Sequence, residues 1–464
     1  MRIAIDRWGQ RHCLPRTAVA AVLLVVAPLF PARAQDAGDA VPAAPSAPSA
    51  DTEVPYLFAP DVTNPVNAAD LVRSLNTPSG MSPFLDTSTV PKGLHFNIDQ
   101  SIRYDDNAER VPKGGTVPLG RSKGDFYSVT NFGGSASAIV GLQTLFVKGY
   151  YGLTRYNQDV DLNSDRYNVS GGINWRTGDV CSGSFVLSAN QSELALQDLG
   201  FGTNGTALTK SERADFNGRC HLFNRFYATF GAGALDYKVS STPSNDYSQF
   251  SVRAGLEYAV PKLHTLGFQV ANYNNDFSNR IPSLLNPLTT SLTQQDYRAY
   301  YTYYVSPKTT INISGGATTF ENSSSFSNSS KTIPTYAASI SWRATPKIMF
   351  NLSTQYSVGP PQGVTADYSS SMISSVGMIY NFSRKLSFSA IYAHSRTSSS
   401  VFSSVLGSFL SQQTRVDTAS IDANYRFTPF LYGNLGYRFT DRTDSITGQK
   451  SVSNLYTVGL SYRR

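Results

Sequence analysis

From about residue 93 to the end of the chain, apolar and polar residues alternate in stretches of about 12 to 17 residues. In 247–260, Phe250, Val252, Ala254, Leu256, Tyr258 and Val260 share one face, and Ser251, Arg253, Gly255 and Glu257 share the other. In 164–178, Tyr167, Val169, Ile173 and Trp175 oppose Arg166, Asn168, Ser170, Asn174 and Arg176. In 414–427, Ile421, Ala423, Tyr425 and Phe427 oppose Ser420, Asp422, Asn424 and Arg426. A period of two is that of a half-buried strand, because successive side chains leave a pleated backbone on opposite sides. The pattern predicts strands over 93–106, 125–141, 144–158, 164–178, 180–195, 210–223, 225–241, 247–260, 265–278, 294–306, 309–322, 332–345, 348–359, 367–383, 386–397, 414–427, 430–442 and 451–464. These make eighteen; sixteen is the competing count, since the turns of the first and fifth hairpins are the weakest.

The connections alternate short and long. Val-Pro-Lys at 260–262, Ser-Pro-Lys at 306–308, Thr-Pro-Lys at 345–347, Ser-Arg-Lys at 383–385 and Thr-Pro at 428–429 mark tight turns, roughly 40 residues apart. That interval holds two strands, a turn and a longer polar loop. The expected architecture is all-β: a transmembrane antiparallel up-and-down barrel with short periplasmic turns, longer extracellular loops and both termini periplasmic. A secreted array of β-sandwiches would share the alternation. Against it stand charges at mid-strand on the polar face, the short–long asymmetry, and aromatics near strand ends (Tyr258, Trp342, Tyr380, Tyr425, Phe427, Tyr437, Phe439), where membrane girdles lie.

The first 92 residues break this pattern. Residues 1–34 read as a signal peptide: a basic start, the apolar run 17–30, and Pro31-Ala32-Arg33-Ala34 before a cleavage point at Gln35. The apolar run is shorter than the roughly 20 residues of a spanning helix. Residues 35–92 read as a low-complexity and irregular periplasmic segment, with an Ala/Pro/Ser linker over 36–50 and a short helical stretch over 68–75. The barrel takes 93–464. With 41% hydrophobic residues and a mean hydropathy of −0.23, the chain looks hydrophilic. A barrel produces this, because only every second strand residue meets lipid.

The formal net charge of +7 overstates the charge of the barrel. The signal segment holds five of the 39 basic residues and one of the 32 acidic ones, so the remainder carries a net +3. This balance does not point to nucleic acid. Cys13 leaves with the signal. Cys181 and Cys220 either form a disulfide in an oxidising compartment or are two isolated small residues facing lipid.

Tyr-Arg-Phe-Thr-Pro at 425–429, Trp-Arg-Ala-Thr-Pro-Lys at 342–347, Tyr-Asn-Phe-Ser-Arg-Lys at 380–385 and the ending Gly-Leu-Ser-Tyr-Arg at 459–463 resemble the β-barrel porin 2 type of outer-membrane protein over about 93–464. The resemblance implies a channel in the bacterial outer membrane of a Gram-negative cell. It also implies, for some relatives, a role as the outer-membrane conduit of an exopolysaccharide export system, with a periplasmic polysaccharide-export protein as partner. The last strand, with Tyr456, Val458, Leu460 and Tyr462 on one face, resembles the signal read by the barrel-assembly machinery, although Arg464 stands where an aromatic residue is usual.

Eighteen strands enclose a water-filled space, so inward residues should set selectivity. Parity places Arg103, Lys148, Arg166, Arg176, Arg213, Arg219, Arg253, Arg298, Arg343, Arg426 and Arg438 inward, with Asp99, Asp215, Glu257, Asp296 and Asp422. The basic excess predicts a mild anion preference; pairing of these charges, across strands or within their own hairpins as for Arg213 with Asp215 and Asp296 with Arg298, would leave only a stiffened wall. Tyr300 and Tyr304 are the inward aromatics, and their rings could stack on sugar faces or simply pack. In the loop 107–124, Arg110, Lys113, Arg121 and Lys123 are placed to touch lipopolysaccharide phosphates or only water. The other long loops are 197–209, 278–293 and 398–413.

An enzyme is not expected. His95, His221, His264 and His394 are the only histidines beyond the signal, no Gly-x-Ser-x-Gly or His-Glu-x-x-His occurs, and metal-ligand spacing and cofactor motifs are absent from the sequence. The expected function is an outer-membrane channel for hydrophilic material. An exopolysaccharide conduit is the sharper reading, a general porin for small anionic solutes the second, and a non-conducting scaffold barrel the third.

Overall fold

A computed structural model of the chain describes residues 93–117, 120–195, 206–240, 243–280, 290–323, 328–359, 368–403, 408–444 and 448–464. The signal segment, the linker and the helix expected at 68–75 lie outside them. The strands are β1 Gly93–Asp105, β2 Asp125–Val140, β3 Gln143–Tyr156, β4 Ser164–Thr177, β5 Cys181–Ala195, β6 Thr206–Phe223, β7 Phe226–Val239, β8 Tyr247–Val260 and β9 His264–Asp276. They continue as β10 Ser291–Ser306, β11 Thr309–Ser323, β12 Asn328–Thr345, β13 Ile348–Gly359, β14 Tyr368–Asn381, β15 Leu386–Ser403, β16 Ser408–Arg426, β17 Leu431–Asp444 and β18 Lys450–Arg463. Each strand pairs antiparallel with its sequence neighbours, and β1 also pairs with β18. The fold is a closed 18-stranded antiparallel barrel, and closure removes the edge strands that an open sheet would leave. The competing count of sixteen is set aside.

Register converts the alternation into two surfaces. Asp99 stands opposite both Asn131 and Ser461, and all three are buried on the inner face. The outer face carries exposed apolar side chains from strand to strand, among them Leu145, Leu187, Phe216, Leu256, Phe268, Ile313, Ile421 and Leu435. On β8 this row runs from Val260 to Phe250. Those ten steps span about 33 Å of strand, or about 25 Å of height at a tilt of roughly 40°. A continuous apolar belt of this height is stable against hydrocarbon and not against water. No helix among the described residues is long and apolar enough to cross a membrane, which says nothing against crossing by strands.

Outward charges begin where the belt ends, toward the long loops. Arg155 pairs with Asp165 at 2.7 Å, Lys238 with Asp236 at 2.7 Å, and Lys450 with Asp441 at 2.7 Å. Asp417 accepts from Tyr392, His394 and Arg415, each at 2.8 Å. These pairs form a collar above the belt, at the level where headgroups meet water.

Two loop expectations change. The stretch 398–413 is mostly strand, because β15 and β16 stay paired from Leu386↔Tyr425 to Ser403↔Ser408. Its serines lack apolar alternation, so periodicity misses it; the ladder continues above the belt, where neither face need be apolar. Likewise β6 begins at Thr206, inside the loop expected over 197–209. Among the short turns, Asn224 and Lys262 adopt positive φ (51° and 63°), the left-handed conformation that closes a tight hairpin.

Candidate functional site: the barrel lumen

The inner wall is built by the polar half of every strand. Arg103, Lys148, Arg166, Arg176, Arg213, Arg219, Arg253, Arg298, Arg343, Arg426 and Arg438 all lie at inward register positions, as do Asp99, Asp215, Glu257, Asp296 and Asp422. Arg442 belongs with them and is buried. It shares the parity of Arg438, four residues earlier, so parity carried to the end of that strand would have found it.

The structure brings part of this set together along β6, β8 and β10. Arg213 donates to Asp215 (Nη2 to Oδ1, 2.9 Å), and Arg253 approaches the same carboxylate at 3.6 Å. Arg298 pairs with Asp296 at 3.1 Å, and Thr318 donates to Asp296 at 2.8 Å. Arg219 pairs with Glu257 while its guanidinium lies over the Tyr227 ring, 3.7 Å from the centroid. Tyr300 also donates to Glu257, at 3.1 Å. Elsewhere, Asn97 donates to Asp99 at 2.6 Å, Arg166 to Asn131 at 3.1 Å, and Arg176 to Asp179 at the short-turn rim at 3.0 Å. The wall therefore holds three of its inward carboxylates in arginine pairs. Pairing offsets much of the basic excess on this arc.

These long side chains recline along the wall, and glycine makes the space. A Cβ on Gly231 would strike the Arg253 guanidinium, and one on Gly267 would strike the Tyr300 ring. The large residue lies across its glycine neighbour to reach a partner beyond it, Asp215 in one case and Glu257 in the other. Tyr300 is consequently 5% exposed, so its ring packs and does not present a face to the lumen. Tyr304 sits at the irregularity between Tyr304 and Ser306, near the short-turn rim, and is exposed. The two tyrosines do not form a shared sugar-stacking platform.

The remaining arc differs in chemistry. From β13 to β16 the inward positions include Asn351, Ser353, Gln355, Ser357, Ser371, Ile373, Ser375, Ser389, Ile391, Ser395, Ser420 and Asn424, with Asp422 and Arg426 only at the β16 end. Ser353 and Ser375 share a hydrogen bond of 2.6 Å across two strands. The lumen thus contains a paired-charge arc over β6–β10 and, over β13–β16, an arc of amides, hydroxyls and aliphatic patches with few charges.

At the long-loop end, 107–117 and 120–124 are locked into the wall. Asn107 bonds Val111 in both directions and Val452, while Lys113 N–H reaches the Lys450 carbonyl. Arg121 bridges Glu109 (2.7 Å) and Asp161 (3.0 Å), and the Glu109 hydrogen bond pushes its pKa further up. Asp125 accepts from the amides of Gln158 and Asp159. Of the four basic residues expected to meet lipopolysaccharide, Arg121 is therefore committed to carboxylates of its own chain.

Replacing Asp215 with asparagine should leave Arg213 and Arg253 sharing no carboxylate. Stability is expected to fall by about 2 kcal/mol, less than the roughly 3–5 for a dry pair because the Arg213 side chain is half exposed. Urea unfolding of the vesicle-inserted protein reads the loss, and an unchanged midpoint would show that the carboxylate is not the counter-ion.

Among the described residues, no group of three or more acidic, histidine or cysteine side chains could hold a metal ion. No family model matches the chain, and no curated protein does. Solved structures similar to it include OccK2 (OpdF) of Pseudomonas aeruginosa in complex with glucuronate, at 11% identity and TM-score 0.42, covering 80% of this chain and 97% of that one. OpdL of the same organism is 10% identical (TM-score 0.42; 80% and 98% covered). The FrpB iron transporter of Neisseria meningitidis is 9% identical (TM-score 0.45; 81% and 83% covered). The fold assignment rests on the strand register itself, which closes the barrel without reference to any of them.

Proposed function

We propose that the protein is an outer-membrane channel for hydrophilic solutes, with its short turns and both termini of the barrel on the periplasmic side. The observation that carries this reading is the closed 18-stranded ladder with an apolar outer belt and a polar inner wall. Barrels of 16–18 strands leave an aqueous passage. Tyr456, Val458, Leu460 and Tyr462 form the outward row of the last strand, in line with a role in recognition by the barrel-assembly machinery. No step of catalysis enters this reading.

The finer reading is passage of a carbohydrate, as an exopolysaccharide conduit working with a periplasmic export protein. The sparsely charged arc supports it: amide and hydroxyl groups bond sugar hydroxyls, and Ile373 and Ile391 offer apolar surface to C–H faces. A general porin for small anions is the second reading, supported by the inward arginines. The collar of outward charges and the basic residues Lys113 and Lys123 favour contact with lipopolysaccharide. Single-channel current of the refolded protein, with a salt gradient across the bilayer, tests the reading. Stable steps with a mild anion preference are expected. Cation preference would remove the basic-lumen argument, and a folded protein that passes no current would leave a scaffold barrel.

A further inference from the structure

One joint in the wall is incomplete. β12 and β13 pair only from Thr345↔Ile348 to Tyr336↔Tyr356, although β12 continues to Asn328 and β13 to Gly359. The cause is readable in the chain. The Arg343 N–H donates to the Lys308 carbonyl at 2.7 Å, so the odd-numbered amides of β12 point to β11. The even-numbered ones, in an unbroken register, point to β13. The next rung after Tyr336↔Tyr356 falls on residue 334, which is proline. Proline has no N–H to donate, and the ladder stops there.

Past that point β13 and β14 leave the wall. By parity, Tyr356, Val358 and Tyr368 belong to the outward row with Leu352 and Val376, and Leu292, Phe320 and Ile333 to the inward one. Yet Phe277, Leu292, Phe320, Ile333, Val358 and Tyr368 form one buried cluster, with Tyr247 and Tyr356 packed against it. Tyr368 stacks on Phe320 with centroids 5.6 Å apart, and Lys331 donates to the Tyr368 hydroxyl at 2.6 Å. β11 and β14 are three strands apart, about 14 Å along a regular wall. The outer face of the β13–β14 end therefore lies on the inner face of β10–β12. β14 stays paired with β15 as far as Tyr368↔Ser400, so the displaced end remains part of the β13–β16 sheet.

We propose that the long-loop end of β13–β14 is a hinged wall segment that narrows the mouth of the channel, latched by the Phe320–Tyr368–Lys331 contact and kept out of the wall by Pro334. Swinging back beside β12 would widen the mouth, and with an amide at position 334 it would also complete the ladder. This inference stands on the strand geometry and is independent of the solute. It is tested by the distance between spin labels at Ser371→Cys on the segment and Asn190→Cys on β5, nine strands away across the lumen. Pro334→Val supplies the missing amide, and Tyr368→Ala removes the latch. Both are expected to lengthen the distance by an amount on the order of 10 Å, the spacing of two packed sheets, and Pro334→Val to raise the single-channel step. Folding of each variant is checked by strand circular dichroism and heat-dependent gel mobility. One unchanged distance in the parent and in both folded variants would overturn the proposal, whether or not the protein conducts.

Discussion

Replacing Cys181 with serine is expected to lower the stability of the barrel by about 4 kcal/mol under oxidising conditions. Cys181 and Cys220 are disulfide-bonded, 39 positions apart in sequence. They stand directly opposite on β5 and β6, next to the hydrogen-bonded pair Val180 and His221. This makes them a non-hydrogen-bonded pair, in which side chains come closest. The cross-link acts on the unfolded chain, removing the freedom of a long loop. Denaturant unfolding of parent and variant, with and without a thiol reductant, reads the effect. The difference should vanish in reductant; equal midpoints under oxidising conditions would show that the bridge does not form or does not stabilise.

Replacing Leu256 with arginine should cost about 3 kcal/mol in lipid vesicles. Leu256 is exposed at the middle of the outward row of β8, so the guanidinium would sit near the bilayer midplane. Asn351→Arg, on the lumen face of β13 opposite Ser341 and Gly377, is the control and should leave stability nearly unchanged while altering conductance. A neutral Leu256→Arg would mean that this face meets water, and would remove the membrane assignment with it.

Much of the barrel was legible in the sequence because its information is local. Period two assigns a face to each residue of 247–260 without knowledge of any other strand. The tight turns mark where strands reverse, and they bring the count to eighteen or sixteen. Lumen parity of residues such as Arg253 and Asp215 is equally local. The misses were places where local rules lose force. Above the belt no face is required to be apolar, so the serine-rich ends of β15 and β16 read as loop. Leu292, Phe320 and Ile333 are apolar residues at inward parity, a conflict that marked an unusual surface without naming its partner.

What the sequence by itself determined is therefore the two faces and the class of fold, both carried by residue spacing within a strand; the choice of eighteen strands over sixteen came from the closed ladder. Only the tertiary structure decided which charges pair, that Cys181 meets Cys220 and not lipid, that Tyr300 is packed and not presented, and that β13–β14 passes inside β12. These depend on how strands are staggered and packed against their neighbours in the wall, which no single strand encodes. A shift of one residue in that stagger would exchange every partner while leaving each strand's own alternation intact.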